Sequence, residues 1–183
     1  NHIDEQKVIA AVDPRKDDVG IQSGELIMGL LERDQKPLDI LTREAFNNAI
    51  VGVAASGGST NAVLRLLALA REAGVELSID DFDEISRNTP LIGNLMPSGE
   101  YAAADLDAAG GIQLVCQRLI DGGFLNGDLL TISGKTLAEE AATAVETPGQ
   151  DVVRTLDNPI KDSGGIHVLK GNLAPDGAVV KLF

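Results

Sequence analysis

The chain has 183 residues, with 15 Lys and Arg against 28 Asp and Glu, a net charge of −13, and only 3% aromatic side chains. That balance argues against nucleic acid, whose phosphates draw clustered Lys and Arg and whose bases stack on rings. One cysteine excludes an internal disulfide and cannot alone hold a zinc ion or an iron–sulfur cluster, no apolar run approaches a membrane span, and the composition suits a reducing cytoplasm.

Taken in order, Ile3 to Val12 reads as a short helix, ended by Asp13-Pro14 and a charged loop through Asp18. Ile21 to Arg33 has the spacing of an amphipathic helix, with Ile21, Leu26, Met28, Leu30 and Leu31 as its buried set. Thr42 is placed to cap a helix from Arg43 to Ala55, with Glu44 in the first turn where the helix dipole favours an acid. A Gly57-Gly58 turn follows, then a helix from Ala62 to Ala73, apolar enough to be read as buried, with Gly74 as its stop. Ser78 and Asp81 form a capping box for a helix reaching Arg87. Leu91 to Gly99, with two glycines and Pro97, reads as a loop, and Tyr101 to Ala109 as a helix. Ile112, Val115, Cys116, Leu119 and Ile120 share one helical face, closed by Gly122-Gly123. Leu129 to Ile132 is strand-like, and Thr136 with Glu139 opens another capped helix.

Beyond Thr147-Pro148-Gly149 the pattern changes to short strand-like runs at Val152-Val153, Ile166 to Lys170 and Ala178 to Phe183. Pro175-Asp176-Gly177 is expected to be the turn between the last two. The expected organisation is a helix-rich unit over 1–148 and the start of a β-rich one over 149–183, an α/β chain. It starts at Asn1 and stops on a strand-like run, which reads as a segment of a longer protein.

The stretch with most chemical potential is Ser56-Gly57-Gly58-Ser59-Thr60-Asn61 before the apolar run Ala62 to Ala70. Ser59, Thr60 or Asn61 can cap the helix, and the first amides of such a helix can also receive a carboxylate or phosphate. The residues alone support either role. Arg65 is a charge inside the apolar run, read as snorkelling or as a carboxylate partner. His2, His167 and Cys116 are read as structural, and Gly134-Lys135-Thr136 lacks the upstream glycine of a phosphate-binding loop. Asp80, Asp81, Asp83 and Glu84 suit a helix start better than a metal site. No catalytic residue and no metal ligand is assigned.

Several words in order resemble the dihydroxy-acid dehydratase and 6-phosphogluconate dehydratase family, most of all its dihydroxy-acid branch. They are Asp39 to Phe46, Gly57 to Leu64, Met96 to Gly99, Ala109 to Ile112, Ser133 to Leu137, Leu156 to Ile160 and Leu169 to Lys181. The resemblance implies the helix-rich end of an α/β N-terminal domain and the start of a β-rich, barrel-like C-terminal domain. It implies a hydro-lyase that turns a 2,3-dihydroxy acid into a 2-oxo acid in valine and isoleucine biosynthesis, with a sugar-acid dehydratase as the alternative within the family. An iron–sulfur cluster and a magnesium ion are implied for the full-length enzyme, with their ligands and the serine base outside this chain. Ser59, Thr60 and Asn61 become candidate substrate contacts, and the family pattern has His where Arg65 stands. The implied partners are the small dihydroxy acid, the remainder of the same polypeptide and a second copy in a homodimer or higher homo-oligomer, with no nucleic acid or membrane. The segment alone is expected to be inert. A reading of another class is a non-catalytic binding or interaction domain on the same scaffold.

Overall fold

A computed structural model describes residues 16–97 and 99–182. His2 and the helix expected over Ile3 to Val12 lie outside them. Among the described residues, seven α-helices precede a two-stranded antiparallel hairpin: α1 Lys16–Glu32, α2 Arg43–Ala55, α3 Asn61–Glu72, α4 Ile79–Arg87, α5 Ala103–Ala109, α6 Gly111–Asp121, α7 Leu137–Ala141, β1 Ile166–Gly171 and β2 Ala174–Lys181. This is the expected α/β composition, with helices first and strands last.

Capping fixes several helix starts. The Thr42 hydroxyl accepts the Ala45 amide at 3.2 Å, and Asp81 accepts the Ser78 amide at 2.6 Å. Thr136 and Glu139 complete a reciprocal box, with bonds of 3.2 and 2.8 Å. Each satisfies amides that a helix start would otherwise leave open.

Two apolar clusters hold the helices to the later segments. One joins Val51 and Ala55 of α2 to Ile92, to Leu114, Val115 and Leu119 of α6, and to Val152 and Val153. The other packs Ile50, Val63 and Phe82 against Ile166 of β1. The inner face of α6 is thus turned toward Leu114, with Ile112, Cys116 and Ile120 at its margin rather than its centre. The hairpin docks on α4 through polar groups too. Asp83 accepts the Val168 amide at 2.9 Å, Ser86 accepts the Ile166 amide at 3.3 Å, and Lys170 meets Asp80 at 2.6 Å. These bonds satisfy part of the outer edge of β1, which would otherwise be open for pairing.

Four expectations are corrected. α1 begins at Lys16, inside the expected charged loop, and none of its residues is buried; Ile21, Met28 and Leu31 are exposed. α3 is not a buried helix either, since it buries only Val63 and Ala70 while Leu64 is 68% exposed. No described element covers the apolar face of α1, whereas α3 packs Val63, Leu66 and Leu67 into the second cluster and leaves Leu64 and Leu69 in the open. Residues 91–95 are not a surface loop. Leu91 to Asn94 are buried and extended, bridged to Lys161 and Val153. Pro175-Asp176-Gly177 lies inside β2, and the turn is at Asn172-Leu173. β2 runs from Ala174 to Ala178 while β1 covers Leu169 to Gly171, so a bulge absorbs the residues that looked like a turn. Pro has no amide to donate and Gly177 has φ +106°, both of which a bulge accommodates.

A paired charge ties α2 to α4. Arg43 grips Asp81 with two bonds of 2.6 and 3.2 Å and donates to the Glu76 carbonyl at 2.5 Å. The Arg43 guanidinium, helped by the Ser78 amide, holds the Asp81 carboxyl below the usual range against the opposing effect of burial. A lowered folded-state pKa contributes stability above the unfolded value, near pH 4, and loses it as pH falls through the folded value. Asp81→Asn should therefore cost about 1 kcal/mol at pH 7 and flatten the loss of stability below pH 4. Urea unfolding of the two proteins at pH 7 and pH 3 checks this, and an equal gap at both values would contradict it.

Candidate functional site

The site grows from the way α2 ends. Gly57 adopts φ +64°, its amide bonds the Ala54 carbonyl at 3.4 Å, and the Gly58 amide bonds the Val53 carbonyl at 2.8 Å. This is the paired closure that a left-handed residue makes at a helix C-terminus. A Cβ on Gly58 would lie 3.0 Å from Val53 Cγ1, so the turn lies tight against its own helix. The Ala55 carbonyl then accepts the amides of both Ile92 and Gly93 at 2.9 Å, which lays the 91–95 segment across the end of α2.

Ser59, Thr60 and Asn61 are brought together at the start of α3. Ser59 and Asn61 are exposed and Thr60 is half-buried. The cap is made by Ser59, whose hydroxyl accepts the Asn61 amide at 3.2 Å, while Thr60 occupies the N-cap position without a side-chain cap bond. The Ala62 and Val63 amides bond the Ser59 and Thr60 carbonyls at 2.9 and 3.1 Å. The first amides of α3 therefore have internal partners. A ligand here would meet two hydroxyls and a carboxamide, not an open set of amides. Arg65 is exposed and makes no ion pair among the described residues.

Beside the turn lies a cleft of about 190 Å³, lined by Gly57, Leu91, Gly93 and Asn94 and closed by Ile160 and Lys161. Leu91 and Ile160 give it an apolar wall, and Asn94 and Lys161 a polar one. Local pattern does not mark these residues, because Gly93, Pro97 and Gly99 suggest a surface loop. The available signal was the apolar pair Leu91-Ile92 directly before Gly93. A Cβ at position 93 would stand 2.9 Å from Ser56 Cα, so this glycine serves close backbone approach.

The other titratable groups sit in structural roles. His167 is buried with Nδ1 3.5 Å from Asp83. Burial works to raise the Asp83 carboxyl, yet bonds from Arg87 and the Val168 amide hold it below its ordinary range. Asp80, Asp81 and Asp83 are thus each engaged by a cation. Burial pushes the Cys116 thiol up to about 11, which leaves it protonated at neutral pH and a poor ligand or nucleophile. Among the described residues no three His, Cys, Asp or Glu converge to hold a metal, and no helix is long and apolar enough to cross a membrane.

Comparison with known proteins adds what geometry lacks. Residues 2–140 match the family described as Dihydroxy-acid/6-phosphogluconate dehydratase N-terminal, and residues 151–183 match its C-terminal counterpart. The chain belongs to the dihydroxy-acid/6-phosphogluconate dehydratase family. Within this dehydratase family, it is 68% identical over 175 residues to the dihydroxy-acid dehydratase of Roseiflexus sp. (strain RS-1), covering 96% of this chain and 31% of that protein. The namesake from Thermus thermophilus is 54% identical, with 95% of this chain and 32% of that protein covered. That of Sulfolobus acidocaldarius is 52% identical, covering 88% and 29%. The chain thus spans about 31% of the length of the first of these relatives.

Proposed function

We propose that this chain is the middle of a dihydroxy-acid dehydratase and supplies one wall of its substrate site. The enzyme would remove water from a 2,3-dihydroxy acid, taking hydrogen from C2 and hydroxyl from C3, and the resulting enol would become the 2-oxo acid. The observation that carries the reading is 68% identity over 175 residues to proteins bearing that name. The place in valine and isoleucine biosynthesis rests on the same likeness.

An iron–sulfur cluster and a magnesium ion belong to the proposal for the whole enzyme, with ligands outside this chain. The described residues do not fit either group, since no acidic, histidine or cysteine triad converges and the lone thiol is protonated. The work of this chain is binding and orientation. Ser59 and Thr60 offer hydroxyls and Asn61 a carboxamide to the hydroxyl and carboxylate oxygens of the substrate, on a turn fixed by the α2 terminus. Assignment of residues 1–148 to the N-terminal domain and 149–183 to the C-terminal one is part of the same proposal.

The exposed apolar faces of α1 and α3 support contact with the remainder of the polypeptide or with a second copy in a homo-oligomer. A net charge of −13 and few aromatics support a cytoplasmic enzyme without nucleic-acid or membrane partners. Steady-state assay of the full-length enzyme with 2,3-dihydroxyisovalerate and with aldonic acids tests the reading. Turnover of the first is expected, turnover of aldonic acids alone would favour the sugar-acid branch, and turnover of neither would favour a binding domain.

A further inference from the structure

We propose that Lys161 is a positioning residue that holds the substrate carboxylate in the cleft between the Gly57 turn and the 91–95 segment. The inference rests on the dehydratase reading above and names a contact that reading leaves open. Three observations converge on it.

The first is the shape of the cleft. Glycines at 57, 93 and 99 bring backbone to its wall with no side chain to fill it, leaving about 190 Å³. That is below the roughly 300 Å³ at which drug-sized sites begin, and it suits a small acid. The second is Asn94, which is only 8% exposed. Its carboxamide oxygen accepts the Glu100 amide at 3.1 Å, but its NH₂ donors have no acceptor among the described residues. That NH₂ group is not one of the buried atoms left without a partner, so it meets solvent at the cleft, where a ligand oxygen would take the place of water.

The third is Lys161 itself. Its backbone is clamped to the cleft wall, because its carbonyl accepts the Leu91 amide at 2.9 Å and the Leu91 carbonyl accepts the Ile160 amide at 2.8 Å. Its side chain is half-buried and makes no ion pair among the described residues, although the chain carries a net charge of −13. A half-buried cation and an amide donor lining one small cleft are the chemistry that recognises a carboxylate. Both acids in the family's description carry one. Leu91, Leu95 and Ile160 then face the rest of the substrate and favour an aliphatic chain over a polyhydroxylated one.

The test is steady-state kinetics of the full-length enzyme carrying Lys161→Met, Lys161→Gln or Lys161→Arg, with 2,3-dihydroxyisovalerate as substrate and its 2-oxo product as inhibitor. Met and Gln should raise KM and the product Ki together by about tenfold or more, as loss of a charged hydrogen bond does. Under the proposal kcat stays within about twofold and Arg restores most of the affinity. KM and Ki within twofold of wild type in correctly folded Met and Gln variants would overturn the assignment. Wild-type turnover of an aldonic acid alone would instead sink the substrate reading, and KM of the Met variant on that acid would still decide the Lys161 contact.

Discussion

Phe82→Ala is expected to lower stability by about 3–5 kcal/mol, as truncation of a fully buried aromatic does. Phe82 is 1% exposed and lies where α2, α3 and β1 meet, against Ile50, Val63 and Ile166. Its loss leaves a cavity that the flanking helices cannot close, because Arg43–Asp81 and the bonds of Asp83 and Ser86 to β1 fix α4 on both sides. The same change should loosen the hairpin, so amide exchange at Ile166 and Val168 should quicken more than at Leu114 and Leu119 of the other cluster. Denaturant unfolding with hydrogen exchange reads both effects. A loss below about 1 kcal/mol, or uniform exchange, would mean that Phe82 does not join the two parts of the chain.

Gly93→Ala should be nearly as damaging, for the opposite reason. A Cβ there would stand 2.9 Å from Ser56 Cα and 3.2 Å from the Ser56 carbonyl oxygen, both backbone atoms that cannot rotate away. The 91–95 segment would have to lift from α2, straining the two amide bonds to the Ala55 carbonyl and the pairing with Val153. Overpacking of this kind costs about 1–3 kcal/mol. Because Gly93 lines the cleft next to the Gly57 turn, substrate affinity of the full-length enzyme should fall with stability. By contrast, Gly52→Ala, in α2 with nothing within 4 Å of its added Cβ, should be neutral or stabilising. Equal effects of the two substitutions would contradict the close approach at position 93.

Much of the helical frame was legible, because capping is local chemistry. Thr42, Ser78 with Asp81, and Thr136 with Glu139 announced the starts of α2, α4 and α7 in side chains that bond amides three residues away. Burial was harder to read. The spacing of α1 and the apolar run of α3 overstated their burial, because none of α1 is buried and α3 is covered on one face alone, at Val63, Leu66, Leu67 and Ala70. The 91–95 segment was misread because Gly93 answers to the Ser56 backbone, distant in sequence, which no local pattern records. Pro175-Asp176-Gly177 has turn composition, yet the pairing of β1 with β2 places it in a bulge. Ser59, Thr60 and Asn61 could be named as candidates from Gly-Gly-Ser-Thr-Asn, but they do not line the cleft, and its Asn94 and Lys161 needed the fold to meet.

That geometry also narrows what the turn between α2 and α3 can do. With the Asn61, Ala62 and Val63 amides bonded internally, its capacity for a ligand rests on side chains, and Thr60 is the cleanest probe because its hydroxyl makes no cap bond. Ser59→Ala should cost about 1 kcal/mol of stability as well as affinity, since it removes a cap. Thr60→Ala should leave stability unchanged. The most direct test is therefore KM for 2,3-dihydroxyisovalerate in the full-length enzyme with Thr60→Ala and with the Ser59→Ala/Thr60→Ala double variant. A substrate-facing turn predicts KM raised by about fivefold for the single change and more for the double, with kcat within about twofold and an unchanged melting temperature for Thr60→Ala. Wild-type KM in both folded variants would return these residues to a purely structural role and contradict the account.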